Sequence, residues 1–181
     1  MKIAQQLKEK NIAEYLIYMW QVEDLLRANG CDIDRIRQNI ILRYPEEERP
    51  ALEEWYGNLA DMMRAEGVTE KGHLQINRNV ILNLTELHGE LLASTKYPFY
   101  NAAYFKALPF IVELRQKIGR KEEPEVDTCF EALYGVLLLR LQKKEISQGT
   151  AKAMEAISGF ISLLANYYDK EKRGELELMD N

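Results

Sequence analysis

Apolar residues recur every three or four positions along nearly the whole chain, and no stretch alternates with a period of two over the length of a strand. This spacing is typical of amphipathic α-helices, because residues three and four apart share one helix face. Glycine and proline interrupt the pattern at short linkers, which favour antiparallel packing of neighbouring helices. The sequence therefore predicts an all-α fold, a single antiparallel bundle of six to seven helices.

Helix ends are indicated by capping residues. Asn11 suits an N-cap, and Asn29-Gly30 suits the left-handed residue that follows many helices. Pro98 has the place of a first helical residue, and Gly119 follows the last one. The helices are predicted to cover about 11–28, 32–44, 46–65, 70–93, 98–118, 125–143 and 147–168.

Pro109 falls inside the fifth predicted helix. Because proline has no N–H to donate to the carbonyl of Phe105, we expect a kink at this position. The short linkers predict one helical-bundle domain over residues 1–168. Residues 169–181 form a charged tail that is expected to fray.

The charge of the sequence mainly argues against certain classes of partner. The net charge is −5, and residues 1–90 carry 11 Lys and Arg against 16 Asp and Glu, so the first half accounts for all of it. Binding to a phosphate backbone needs many cationic contacts. Nucleic acid is therefore an unfavoured partner.

The chemistry of common enzyme motifs is also missing from the sequence. Two cysteines, Cys31 and Cys129, are too few for a disulfide framework and are expected to be buried, inert thiols in a reducing compartment. The two histidines lack the spacing of zinc or di-iron sites, so no cofactor or metal is expected. The N-terminus lacks a secretory apolar run and no stretch could span a bilayer, which predicts a cytoplasmic protein without a membrane partner.

Five polar residues break the amphipathic pattern and are predicted to point inwards: Glu23, Asn77, His88, Asn101 and Arg115. A lone buried charge costs several kcal/mol, so we expect Glu23 and Arg115 to pair, with Asn77 or His88 completing the network. The network has two main interpretations. It fixes helix register in the core, or it lines a pocket in which Arg115 grips a carboxylate or phosphate and His88 titrates near neutral pH.

Three further features of the sequence each suggest a hypothesis. The aromatic run Tyr97, Phe99, Tyr100, Tyr104 and Phe105 is expected to serve core and partner packing, with stacking on bases or a flat ligand as the alternative. The mid-helix glycines Gly89, Gly135 and Gly159 are expected to allow close helix crossing. The segment 26–39 has the spacing of a helix-turn-helix in which Arg35, Gln38, Asn39 and the following Arg43 could read base edges, although Asp32 and Asp34 stand where phosphates would lie.

Both ends of the chain resemble a known family. The resemblance is carried by the opening stretch Met1–Asp24, MKIAQQLKEKNIAEYLIYMWQVED, and by the tail Leu176–Asn181, LELMDN. The family comprises uncharacterised all-helical proteins of about this length from Bacteroidetes. It implies a bacterial cytosolic protein and no particular activity.

Together these features favour a cytosolic helical interaction or structural protein without catalytic activity, which binds a protein partner or forms a homodimer. A small-molecule-binding bundle with an internal site of Glu23, Asn77, His88 and Arg115 is the first alternative. A helix-turn-helix DNA-binding regulator is the second.

Overall fold

The computed structural model describes residues 1–119 and 123–178, and every regular element within these two ranges is helical, which confirms the all-α prediction. In the described ranges two 3-10 turns, Ile41–Arg43 and Glu46–Glu48, lie between the third and fourth α-helices. The α-helices are α1 Lys2–Lys10, α2 Ile12–Ala28, α3 Ile33–Asn39, α4 Arg49–Ala65, α5 Gln75–Ala93, α6 Pro98–Ile118, α7 Glu125–Leu141 and α8 Gln148–Lys172.

Most predicted helix boundaries are close to those observed, and the differences have local causes. The helix predicted over 32–44 ends at Asn39, because Ile40 leaves helical geometry and Tyr44 is held extended by the following proline. The helix predicted from residue 70 begins only at Gln75, since Gly67 and Gly72 adopt positive φ and turn the chain first.

Both ends of the chain contain more helix than predicted. Residues 2–10 form a helix of their own, α1, and Asn11 accepts a hydrogen bond from the Ala13 N–H at the start of α2. At the other end, α8 is capped by Ser147 as predicted but continues to Lys172. The rest of the predicted tail includes residues 179–181, which lie outside the described residues.

The chain divides into two compact units, Met1–Lys10 with Glu14–Val80, and Asn11–Ala13 with Ile81–Asn181. In the first unit α3 packs on α4, and Leu16, Leu26, Ile36 and Met63 are fully buried. In the second unit α6, α7 and α8 pack on one another in all three pairs. Tyr100, Phe130 and Phe160 are the largest fully buried side chains there.

The mid-helix glycines do not serve the close helix crossing that the sequence suggested. A Cβ atom added at Gly89, Gly135 or Gly159 would meet no neighbouring atom within 4 Å. That prediction is therefore wrong, because these glycines face open space. Pro109 lies inside α6 as expected, and the kink at this residue stays a prediction.

Candidate functional site

Glu23 is the centre of a buried polar cluster in the first unit. Its side chain, on α2, is about 1% exposed. One carboxylate oxygen accepts hydrogen bonds from the Leu74 N–H at 3.0 Å and from the Asn77 amide at 2.7 Å. The other lies 2.6 Å from Nδ1 of His73. These groups satisfy both oxygens, so Glu23 does not depend on the predicted Arg115 pairing.

Arg27 stands one helical turn after Glu23 and extends the cluster. Its guanidinium lies 3.8 Å from the Glu23 carboxylate and donates to the backbone carbonyls of Val68 and Gly72. An acid and a base on one face of α2 therefore hold the segment between α4 and α5 through main-chain hydrogen bonds. Main-chain bonding of this kind fixes a loop whatever its side chains are.

His73 closes the cluster towards solvent. Its ring stacks on Trp20, with ring centroids 4.0 Å apart and planes inclined by 12°. The side chain is 29% exposed, in contrast to Glu23 behind it. The buried Oδ1 of Asn77 accepts no hydrogen bond within the described part of the chain. Its amide is nevertheless fixed in orientation, because the NH₂ group must face the carboxylate.

His88 is the centre of a second cluster, in the second unit. Nδ1 of His88 lies 2.7 Å from the Tyr100 hydroxyl, and Nε2 lies 3.6 Å from the Glu125 carboxylate. The ring also packs in a T-shaped arrangement against Tyr104 and Phe160. The cluster therefore draws its side chains from α5, α6, α7 and α8.

Electrostatics in this second cluster favour an ionised Glu125. Its contact with His88, helped by a hydrogen bond from Tyr104 and the charge of Arg115, holds the pKa of Glu125 below its ordinary value against the opposing effect of burial. Burial, with the hydrogen bond to Glu125, raises the pKa of Tyr104 to about 12. Burial also raises the pKa of Cys129, so this thiol is a poor nucleophile at neutral pH.

Arg115 is half-buried on α6 and belongs to the same unit as His88. Its guanidinium donates to the backbone carbonyl of Glu123. Its buried Nε–H reaches no acceptor among the residues that the structure describes. A buried donor without an acceptor is energetically costly, which makes this group a place where an anionic ligand could bind.

The structure thus places the four predicted site residues in two clusters. Glu23 and Asn77 meet in the first unit, and His88 and Arg115 lie in the second. Sequence reasoning missed three of their partners: His73, Tyr100 as a bonding partner, and Glu125. Of these three residues, only Tyr100 could have been found from the sequence, because it lies four residues from Tyr104 on one helix face.

Three cavities are described in the second unit. One of about 240 Å³ lies between α6 and the start of α8, one of about 250 Å³ lies between α7 and α8, and a wide surface depression of about 560 Å³ lies along the first two turns of α8. The first two fall below the 300–1,000 Å³ that is typical of ligand pockets. None of the three is lined by His88 or Arg115.

The structure gives one observation that favours the helix-turn-helix hypothesis and two that do not. Arg35, Gln38 and Asn39 are exposed, so a solvent-facing surface exists. The amide of Asn39, however, donates to the Asn29 side chain at 2.8 Å, and Asp32 caps the seven-residue α3. DNA reading stays a prediction.

The outer face of α6 carries a line of exposed apolar side chains. Phe105 is 62% exposed and Val112 43%, and Ala102 and Pro109 are exposed beside them. The spacings of three and four residues place all four on one side of the helix. We call Ala102, Phe105, Pro109 and Val112 the α6 seam.

Two general classes of site find no support in the described residues. No helix among them combines the length and apolar character needed to cross a bilayer. Within residues 1–119 and 123–178, no group of three or more His, Cys, Asp or Glu side chains is arranged to hold a metal ion.

These features define an all-helical protein with two buried polar clusters and an exposed apolar helix face. The chain belongs to the family described as "Domain of unknown function (DUF4924)", whose model matches residues 1–175. Membership of an uncharacterised family, expected from the two ends of the sequence, is thereby confirmed. No curated protein and no solved structure matches the chain.

Proposed function

We propose that this chain is a helical interaction protein without catalytic activity of its own, which binds a protein partner through the α6 seam. The observation that carries the proposal is the exposure of Phe105, 62%, on the regular helix α6. Exposed aromatic residues in a contiguous apolar line mark interaction sites more often than isolated apolar residues do.

The seam is formed by a helix that is otherwise well anchored. Tyr100, Tyr104, Ala107 and Ile111 bury the opposite face of α6. Because burial of this inner face holds the helix, the outer apolar residues contribute little to folding of the second unit. A rigid helix that presents aromatic anchors binds with little loss of conformational entropy.

The proposal can be tested by photo-crosslinking. A photoreactive phenylalanine analogue is placed at Phe105 and, as a matched control, at Leu141, which is 63% exposed at the end of α7. We expect a defined adduct from position 105 in cells that make the protein natively, lost when Val112→Ser is added, and none from position 141. Equal adducts from both positions, or none from 105, would overturn the proposal.

We further propose that the protein is bacterial, of Bacteroidetes type, and cytoplasmic, as the family resemblance and its two unpaired cysteines suggest. We retain residues 1–168 as one antiparallel helical-bundle domain and 169–181 as a tail. Homodimer formation is one form that binding of a protein partner can take.

A second candidate function is the binding of an anionic small molecule near Arg115 and His88. It is favoured by the buried Nε–H of Arg115 that lacks an acceptor among the described residues. Glu23 and Asn77, the other members of the predicted ligand site, are already bonded to each other. A thermal-shift screen of carboxylates and phosphates against wild type and Arg115→Met tests this function, since a true ligand stabilises only the wild type.

A further inference from the structure

Two opposite charges lie beside the α6 seam in a symmetrical arrangement. Lys106 and Glu113 are seven residues apart, so two helical turns separate them and they lie on the same side of the seam. Both side chains are exposed. Glu113 also pairs with Lys117 of its own helix at 2.6 Å, which orients its carboxylate along the surface.

We infer that the partner of the α6 seam is a second copy of this chain, bound with the two α6 helices antiparallel. This inference rests on the proposed interaction function. Such a pair has a two-fold axis perpendicular to α6, midway between Lys106 and Glu113. This axis reverses the helix direction, and it leaves the flank that carries Lys106 and Glu113 on the same side of the interface in both copies. It therefore places Lys106 of each copy opposite Glu113 of the other, and forms the pair twice.

The parallel arrangement lacks this match. In a parallel pair, residues on opposite flanks of the two helices meet, so Lys106 would face Asn101 and Glu113 would face Leu108 of the second copy. Neither charge would gain an opposite partner. Charge pairs at the edge of an interface contribute little affinity, but they select orientation and register.

The apolar part of the interface supplies the binding energy in this arrangement. Phe105 of one copy lies against Val112 and Gln116 of the other, beside the crossing point near Pro109. Burial of a phenylalanine side chain is among the larger single contributions to association. Because the seam holds only four residues, the interface belongs to the small class, and we expect a weak, concentration-dependent dimer.

The test uses the full-length protein and charge reversal. Sedimentation velocity measures dimer formation by wild type, Lys106→Glu, Glu113→Lys and an equimolar mixture of the two variants. Each variant alone sets like charges opposite each other twice, whereas the mixture restores two opposite pairs in a heterodimer. We expect each single variant to weaken dimer formation about tenfold, and the mixture to recover most of it.

Matched controls separate charge effects from damage to the fold. Lys152→Glu and Glu155→Lys reverse two exposed charges on a different helix, α8, and should leave dimer formation unchanged. Phe105→Ser should abolish dimer formation while circular dichroism shows the same helix content. Because the mixture test compares variants with each other, a small loss of stability in one of them does not imitate the rescue.

The outcomes distinguish this inference from the proposed function. Dimer formation that fails in both single variants and returns in the mixture supports antiparallel self-pairing. A monomeric wild type at several hundred micromolar, or a mixture as weak as its components, overturns it. If the wild type is monomeric and position 105 still crosslinks to a different protein, self-pairing is overturned and the interaction function stands. If position 105 yields no adduct either, both are overturned.

Discussion

The carboxylate of Glu23 accepts a 2.7 Å hydrogen bond from the side-chain amide of Asn77, which lies 54 residues away in the sequence. Both side chains are fully buried. The bond links the middle of α2 to the first turn of α5, and the neighbouring Leu74 N–H binds the same oxygen. A buried acid is thus used to fix where α5 begins.

Loss of this acid should destabilise the protein. Glu23→Leu leaves the amide of Asn77 and the N–H of Leu74 buried without an acceptor, and we expect a loss of about 3–4 kcal/mol in the free energy of unfolding. Urea denaturation measures it. The double variant Glu23→Leu/Asn77→Leu should recover part of the loss, because one stranded group is removed with it.

The control for this prediction is the next residue along α2. Asp24 is 45% exposed and bonds to Arg27 at the surface, so Asp24→Ala should cost under about 1 kcal/mol. A Glu23→Leu variant no less stable than Asp24→Ala would contradict the role assigned to the cluster.

Helical phase was sufficient to predict that Glu23, Asn77 and His88 are buried, because each lies on an apolar stripe and a helix fixes the direction of its side chains. Phase could not identify His73 and Glu125 as partners. His73 lies in the turn after Gly72, outside any helix, so helical periodicity says nothing about its direction. Glu125 lies in the first turn of α7, where acidic residues are common in any helix, so its position did not single it out as a partner. The pairing of Glu23 with Arg115 was the simplest choice by charge, and sequence alone could not show that His73, Leu74 and Asn77 bond the Glu23 carboxylate.

The fold itself was more predictable than its polar contacts. Pro98 and Gly119 set the bounds of α6 at the predicted residues, because proline and glycine act through their own backbone geometry. The short elements between Ile40 and Glu48 were not predictable in the same way. There the helices predicted over 32–44 and 46–65 each lose a turn beside Pro45, and the 3-10 turns Ile41–Arg43 and Glu46–Glu48 take their place.

The hydroxyl of Tyr100 should contribute more to stability than an exposed tyrosine hydroxyl. Tyr100→Phe removes the partner of His88 Nδ1 inside the second cluster, and we expect a loss of about 1–2 kcal/mol by urea denaturation. Tyr97→Phe is the matched control, because its hydroxyl bonds to the Glu177 carbonyl near the surface. That control should cost about 0.5 kcal/mol or less. Similar losses in the two variants would argue against a buried network around His88.

Acid should weaken the protein partly through Glu125. Its pKa is lowered in the folded state, so its ionised form stabilises the fold above the ordinary glutamate pKa of about 4.3, and this contribution is lost as pH falls through the lower folded value. Urea denaturation of wild type and Glu125→Gln between pH 3 and 7 measures the effect. The difference in stability should be largest near neutrality and shrink towards pH 3. A difference that is independent of pH would contradict the lowered pKa.

Both cysteines should resist modification in the native state. Cys31 and Cys129 are fully buried, and burial raises the pKa of each thiol, with Arg64 and Arg27 partly opposing the effect at Cys31. We expect a disulfide reagent at pH 8 to label both thiols slowly in native protein and at once in denaturant. Ser158→Cys, at an exposed position of α8, provides a fast-reacting control. Rapid native labelling of either thiol in the wild type would contradict the prediction and show that the unit holding that cysteine opens readily.

Two glycines inside helices should be replaceable with a gain in stability. Gly135→Ala and Gly159→Ala each add a Cβ that meets no atom within 4 Å, and alanine costs less conformational entropy than glycine in a helix. We expect each variant to gain about 0.5–1 kcal/mol in urea denaturation, with additive effects in the double variant. Gly30→Ala is the contrasting control, because its φ of +65° and the Arg35 guanidinium at 3.2 Å disfavour any side chain, so it should lose stability. A loss at Gly135 or Gly159 would mean that a neighbouring group packs against the backbone there, and would restore the close-crossing interpretation of these glycines.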